Sequence, residues 1–211
     1  MHNFDRAVAE TRKLVANGVI SASEFARLGL SDLHWALAKR NGLRSRKVKK
    51  GDVFQFDFGK NSIPEMSYEH RGLVLGHTRN LLYVLPIFSY KEAIHKKDLY
   101  DPSTPKGRQG SLFFLSAADH GFLTHDSVLK LDDMRSVSVK RILYKQPHGK
   151  MDIASDEFKE LESQVFANYF PAYFYELTNL KKENAALKAE NTRLHQRVCS
   201  GDSGKELDSE E

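Results

Sequence analysis

Lys50-Gly-Asp-Val-Phe-Gln-Phe-Asp-Phe58, then Glu65-Met-Ser-Tyr-Glu-His-Arg71, Gly72-Leu-Val-Leu-Gly76 and Leu81-Leu-Tyr-Val-Leu-Pro-Ile-Phe-Ser89 give the chain its frame. From Val53 the hydrophobic period is two: Phe54, Phe56 and Phe58 alternate with Val53, Gln55 and Asp57, the pattern of a half-buried strand. Gly59 to Pro64 breaks that run. Gly72–Gly76 and Leu81–Phe88 make two more strands around the polar tip His77-Thr-Arg-Asn80. Pro86 cannot donate to a ladder, so its end of the strand belongs at an edge or bulge, and Ser89 falls at the strand end. Between the first and second runs lies a polar loop holding Glu65, Glu69, His70 and Arg71. A purely structural hairpin has no use for that grouping.

Upstream, residues 1–43 predict short helices. Phe4, Val8 and Val15 with Ala7 and Leu14 form a stripe that Asn17-Gly18 ends; Ser21-x-x-Glu24 has capping-box spacing ahead of Phe25 and Leu28, and Gly29 closes that turn. A third helix begins at Ser31-Asp32 and carries Leu33, Trp35 and Leu37. Three such helices can build a helix-turn-helix, but no polar recognition face stands out, and packing on the neighbouring domain is the preferred reading. Arg44, Arg46, Lys47, Lys49 and Lys50 form a basic linker over 44–50, either simply solvated or lying along a phosphate backbone.

Downstream, Tyr90–Gln109 is too polar for a core element and predicts a long surface loop with one helical turn at Lys91–His95. Gly110–Leu115, Ser127–Leu131 and Ser136–Ile142 are strand-like, and Gln146-Pro-His-Gly149 is expected to end the sheet. Closely spaced strands without helical crossovers argue for an α+β chain built on a small SH3-like antiparallel β-barrel over 51–170. Ser155 introduces a helix with Phe158, Leu161, Val165 and Tyr169 on one stripe. After Phe170-Pro171 a heptad begins, with Leu180, Leu187 and Leu194 at d and Leu177, Asn184, Asn191 and Val198 at a, which predicts a parallel dimeric coiled coil over 171–199. Residues 200–211 are expected to be a disordered acidic tail.

With 211 residues, 40% of them hydrophobic, the chain can bury one core and carry appendages. The formal charge of +4 includes the acidic C-terminal stretch, so the remainder is more basic and suits a polyanion. One cysteine, Cys199, excludes an intramolecular disulfide and a multi-thiolate metal site. The first residues lack a signal-peptide pattern and no apolar run is long enough to span a bilayer, so a cytoplasmic protein without a membrane partner is expected. No His-x-x-x-His pair, phosphate loop or Gly-x-Ser-x-Gly elbow is present, which leaves no sequence basis for a zinc hydrolase, a nucleotide-triphosphate enzyme or a serine hydrolase.

The order of the pieces over residues 50–170 resembles the PemK/MazF family of toxin endoribonucleases: Gly-Asp-Val before a strand, a loop glutamate, an arginine ahead of a hydrophobic strand, and a strand ending Pro-Ile-x-Ser. The resemblance implies a metal-independent endoribonuclease that needs no cofactor, cleaves single-stranded RNA, pairs with an antitoxin and forms a homodimer. It assigns Arg71 to the scissile phosphate, Ser89 to the family's serine, Glu65 to the loop glutamate, and Lys130, Asp132 and Arg135 to a basic-x-Asp strand end followed by Asp-x-x-Arg. Cleavage needs a base, a cation and an acid; His70 or Asp132 is the candidate base, and Glu65, Lys130, Arg135, Arg44, Arg46 and Lys47 are candidate RNA contacts. The chain departs from the family at Gly72, where a proline is usual, and at Phe88, where a threonine is. A non-catalytic RNA- or protein-binding barrel, and a type III toxin of the ToxN kind inhibited by RNA, are the alternatives.

Overall fold

The computed structural model describes residues 2–40, 47–104 and 110–201. Arg44, Arg46 and the acidic tail from 202 onward lie outside the described residues. Two units divide the chain, residues 1–165 and 166–211.

In the first unit the alternation read at Val53 becomes strand β1 (Asp52–Asp57), paired antiparallel to β2 (Glu69–His77), which pairs with β3 (Leu81–Ser89). β4 (Leu112–Leu115) and β5 (Ser127–Lys130) extend the sheet beyond β3, β6 (Arg135–Ser138) pairs with the start of β3, and β7 (Ile142–Lys150) flanks β1. The result is a mixed α/β chain with one seven-stranded antiparallel sheet of path β4-β5-β3-β2-β1-β7 and five α-helices among the described residues. No ladder joins β4 to β7 among them, so the barrel closure expected from the strand spacing is not part of the observed pairing.

Phe54, Phe56 and Phe58 share one buried cluster with Val74, Leu82, Val84, Val137 and Ile142. The other face of the same strands also carries buried residues, Val53, Leu73, Leu85 and Ile87. β1 is therefore a central strand covered on both sides, where a half-buried one was expected. Helix α4 (Asp156–Tyr169) adds Phe158, Leu161 and Val165 to the core, and it is tied down by Lys50 to Glu162 (2.5 Å), His120 to Glu157 (3.2 Å) and a Tyr100 hydroxyl donating to Glu160. Burial, then the bond to Glu160, pushes the Tyr100 phenol up, so it stays a neutral donor.

Three further expectations are corrected. The N-terminal segment holds two helices, α1 (His2–Ala16) and α2 (Ala22–Arg40), because α2 runs straight through Gly29. The capping box forms as spaced, Glu24 N to Ser21 Oγ at 3.1 Å and Ser21 N to Glu24 Oε2 at 2.9 Å, and a glycine costs a helix interior only about 1 kcal/mol, which packing along one face can offset. That face is half-buried Phe25, Leu28 and His34 with buried Ser31, which leaves Leu33, Trp35 and Leu37 exposed. Next, β2 begins at Glu69, so His70 and Arg71 are strand residues and not loop residues. Finally, β7 continues through Gln146–Gly149: the register against β1 shifts between Asp52 and Phe54, and Gly149 approaches Val53 so closely that a Cβ there would lie 2.5 Å from its carbonyl oxygen. A bulge absorbs Pro147 where a strand end was expected.

The loop after β3 carries the expected helical turn, α3 (Glu92–His95), continued by a 3-10 turn over Lys96–Asp98. In the second unit, Pro171 starts the long helix α5 (Pro171–Gly201), as a residue with no N–H to leave unpaired is suited to do. No described helix is long and apolar enough to cross a membrane.

Candidate active site

Registered pairing places Arg71 opposite Gln55 on β1 and Ile87 on β3. The same transverse row continues to Tyr144 on β7 and, on the other side, to Leu129 and Phe113. Residues directly opposite one another share a face, so Arg71 stands on the face of Gln55, Ile87 and Leu129. Its guanidinium has no ion-pair or hydrogen-bond partner among the described residues, which leaves its donors for a ligand. Gln55 Oε1 beside it accepts from Gln146 Nε2 (3.0 Å), and that bond holds the neighbouring amides in place.

Ser89 lies two residues past Ile87, on that same face, as the diagonal neighbour of Arg71 across the β2/β3 ladder, roughly 7–8 Å away between backbones. Ser89 Oγ is 2.6 Å from Nε2 of His125, and Nδ1 of that ring is 2.9 Å from Thr124 Oγ1. The loop bearing His125 is set by its own bonds: Ser127 Oγ donates to the His125 carbonyl (2.9 Å), Tyr90 N to the Asp126 carbonyl (2.9 Å) and Ala117 N to Asp126 Oδ1 (2.9 Å). His125 was not singled out from sequence. Its position follows from Ser127 pairing with Ser89, a register that no local pattern in Thr124-His-Asp126 encodes.

His70 is not part of this group. It pairs with Phe56 and, as the neighbour of Arg71 on one strand, points to the opposite face. Burial first, then the positive charge of Arg27 on α2, holds its imidazole below the ordinary 6.5, against a smaller opposing effect of a hydrogen bond with Ser67. A largely buried ring and an arginine on opposite faces of the sheet cannot act on one phosphate.

The remaining candidates fall into two further places. Lys130 follows Leu129 and so faces away from Arg71; its Nζ lies 2.6 Å from Asp132 Oδ1, which ties up the carboxylate considered as a base. Arg135 bonds Asp133 through Nε (3.1 Å) and Nη2, donates from Nη1 to the Met66 carbonyl (3.0 Å), and lies 5.4 Å over the Phe58 ring. Met66 N donates back to Asp133 Oδ2 (2.8 Å), so these groups clamp the 59–68 loop, and exposed Glu65 sits on that loop, its N–H donating to the Ser62 carbonyl. Arg135 is a clasp for the loop more than a free RNA contact. Lys47 is exposed ahead of the sheet.

Both departures from the family pattern have a local cause. At Gly72 a Cβ would lie 2.5 Å from Val84 Cγ1 and 2.8 Å from Phe56 Cδ2, so no side chain fits, proline included. Phe88 rests edge-on against His95 with ring centroids 5.2 Å apart, and His95 Nδ1 accepts from Lys91 N (2.9 Å). Among the described residues no three His, Cys, Asp or Glu side chains converge as a metal site.

A comparison with protein-family models finds no match, and none of the curated proteins compared matches the chain. The chemistry of Arg71, Ser89 and His125 therefore carries the functional argument: one cation unpaired among the described residues and one hydrogen-bonded hydroxyl–imidazole pair on a single face of the sheet.

Proposed function

We propose that the chain is a PemK/MazF-like toxin endoribonuclease, cleaving single-stranded RNA in the cytoplasm without a metal or cofactor and restrained by an antitoxin, with its sheet curled as the family's barrel. The observation that carries the reading is the unpartnered Arg71 beside the bonded Ser89–His125 pair. His125 takes the proton from a ribose 2′-hydroxyl, whose oxygen attacks the adjacent phosphorus; the bond to the 5′-oxygen breaks and that oxygen takes a proton from water. Arg71 stabilises the charge on the pentacoordinate phosphate, and the Ser89 hydroxyl orients the imidazole and reaches a non-bridging oxygen. The products are a 2′,3′-cyclic phosphate and a free 5′-hydroxyl.

The test is incubation of the purified chain with a long unstructured RNA in EDTA. Cleavage to cyclic phosphate ends is expected, with Arg71→Ala slower by about 10²–10³-fold and His125→Ala by about 10²–10⁴-fold, while His70→Gln keeps cleaving. Intact RNA, or cleavage indifferent to Arg71→Ala, removes the reading.

One observation favours a second reading, a non-catalytic RNA- or protein-binding module: Phe88 simply packs on His95 where the family has a hydroxyl. A chain that binds RNA, leaves it intact and does not slow growth on expression is that module. A type III toxin is the same enzyme with an RNA inhibitor, identified by an RNA co-purifying with the chain.

We also propose a homodimer through α5. Leu177, Leu180, Leu187, Leu194 and Val198 are all exposed along its a and d positions. The heptad runs back without a break through the helix junction, with Phe166, Phe170 and Tyr173 at d, a and d and likewise exposed. Asn184 and Asn191 at a favour two parallel strands in fixed register.

A further inference from the structure

Between α2 and residues 138–143 lies a groove of about 1030 Å³, at the upper end of the range of small-ligand sites and open to solvent along one side. α2 lies outside the stretch that resembles the family, so nothing in that resemblance accounts for the groove. Trp35, the chain's single tryptophan, stands at its rim 63% exposed, on a helix whose packed face is made by other residues. Lys39 Nζ lies 5.0 Å over one face of the Trp35 ring, which leaves the other face to a second flat group.

Charge in the groove is unbalanced. Lys60 is paired with Asp32 (3.2 Å), and Asp57 accepts from Ser31 Oγ (3.1 Å) and Gly59 N (2.8 Å) with His34 Nδ1 at 3.5 Å from its second oxygen. Arg141 spends one nitrogen on the Asp57 carbonyl (3.0 Å). Lys39 and Lys140 have no carboxylate partner among the described residues, and the rest of the Arg141 fork is free to turn outward. An exposed aromatic ring flanked by unpaired cations is the arrangement that takes single-stranded nucleic acid, bases stacking on the ring while phosphates meet the cations.

We propose that this groove binds a stretch of single-stranded RNA remote from Arg71, with a base on Trp35 and phosphates on Lys39, Lys140 and Arg141. The proposal rests on the ribonuclease reading for its choice of RNA, and it makes the groove a second contact that holds a long substrate while another part of it is cut. A protein partner is the weaker occupant, since the groove offers cations where an ordinary protein interface is depleted of lysine.

The single tryptophan makes the test direct. A 2′-O-methyl oligouridine has no free 2′-hydroxyl and so cannot be cleaved by the proposed chemistry, and titrating it into the intact chain is expected to quench Trp35 fluorescence saturably. Lys39→Glu with Lys140→Glu should weaken that binding about tenfold or more, and Trp35→Ala should weaken it about 5- to 100-fold by anisotropy of a labelled oligonucleotide, whereas Arg71→Ala leaves the quenching intact. Binding without quenching, quenching unchanged by the lysine reversals, or equal quenching by oligoglutamate overturns the proposal. Quenching as described in a chain that cleaves no RNA upholds the groove and removes only the ribonuclease.

Discussion

His70 and Arg71 are adjacent in the chain and opposed in the fold, and that opposition has a measurable consequence in pH. Burial and Arg27 keep the folded-state His70 below its ordinary 6.5, so around and below that value the unfolded chain binds more protons than the folded one. The stability this contributes is intact above about pH 6.5 and is lost as pH falls through the depressed folded value. The melting temperature of the wild type should therefore drop from about pH 7 to about pH 5 by more than that of His70→Gln, while the cleavage rate of that variant at neutral pH stays near wild type. Parallel melting curves, or a variant that has lost cleavage, would return His70 to the candidate site.

The clasp on the 59–68 loop is where individual bonds add up to an element. Asp133 is buried, receives Arg135 and Met66 N, and through them fixes the loop against the Phe58 ring. Removing it in Asp133→Ala leaves a largely buried guanidinium without its counter-charge, a change that costs about 3–5 kcal/mol. Urea unfolding should report that loss, and Asp132→Ala, which removes a half-exposed carboxylate, should cost less than Asp133→Ala. Equal effects from the two aspartates would mean that Arg135 does not depend on Asp133. From the sequence alone the two neighbours are interchangeable; only the turn after β5 sends one inward and the other to solvent.

At the scale of the whole molecule, α5 is 31 residues, about 46 Å of helix at ~1.5 Å per residue, with Leu177, Leu180, Leu187, Leu194 and Val198 exposed along one stripe. Pairing such a seam removes enough area to contribute several kcal/mol at about 25 cal/mol per Å². Sedimentation of Leu180→Asp with Leu187→Asp at micromolar concentration should show a smaller species than the wild type, and Phe166→Ser with Phe170→Ser should weaken association as well, since the heptad runs back to those rings. Replacing Asn184 and Asn191 with leucine should admit trimers or larger assemblies. Wild-type and Leu→Asp chains of the same mass would make α5 a docking site for a different helix.

Features that depend on neighbours a few residues away could be seen in the chain as written: the period-two run from Val53, the Ser21–Glu24 cap, the turn at Lys91–His95 and the heptad after Pro171. Each is set by backbone geometry and side-chain spacing within about two turns of helix or one strand length. The assembly of the candidate site was not visible in that way. Strand alternation, once Glu69 rather than Gly72 began β2, sent His70 to the far side of Arg71, and the pairing of Ser127 with Ser89 brought in His125 from 36 residues away. The bulge that carries β7 through Pro147, and the α2 stripe that turns Trp35 outward, likewise arise from packing against the sheet. Register and burial are properties of two or more segments together, so a single segment cannot carry them, and the chemistry of this protein is decided at that level.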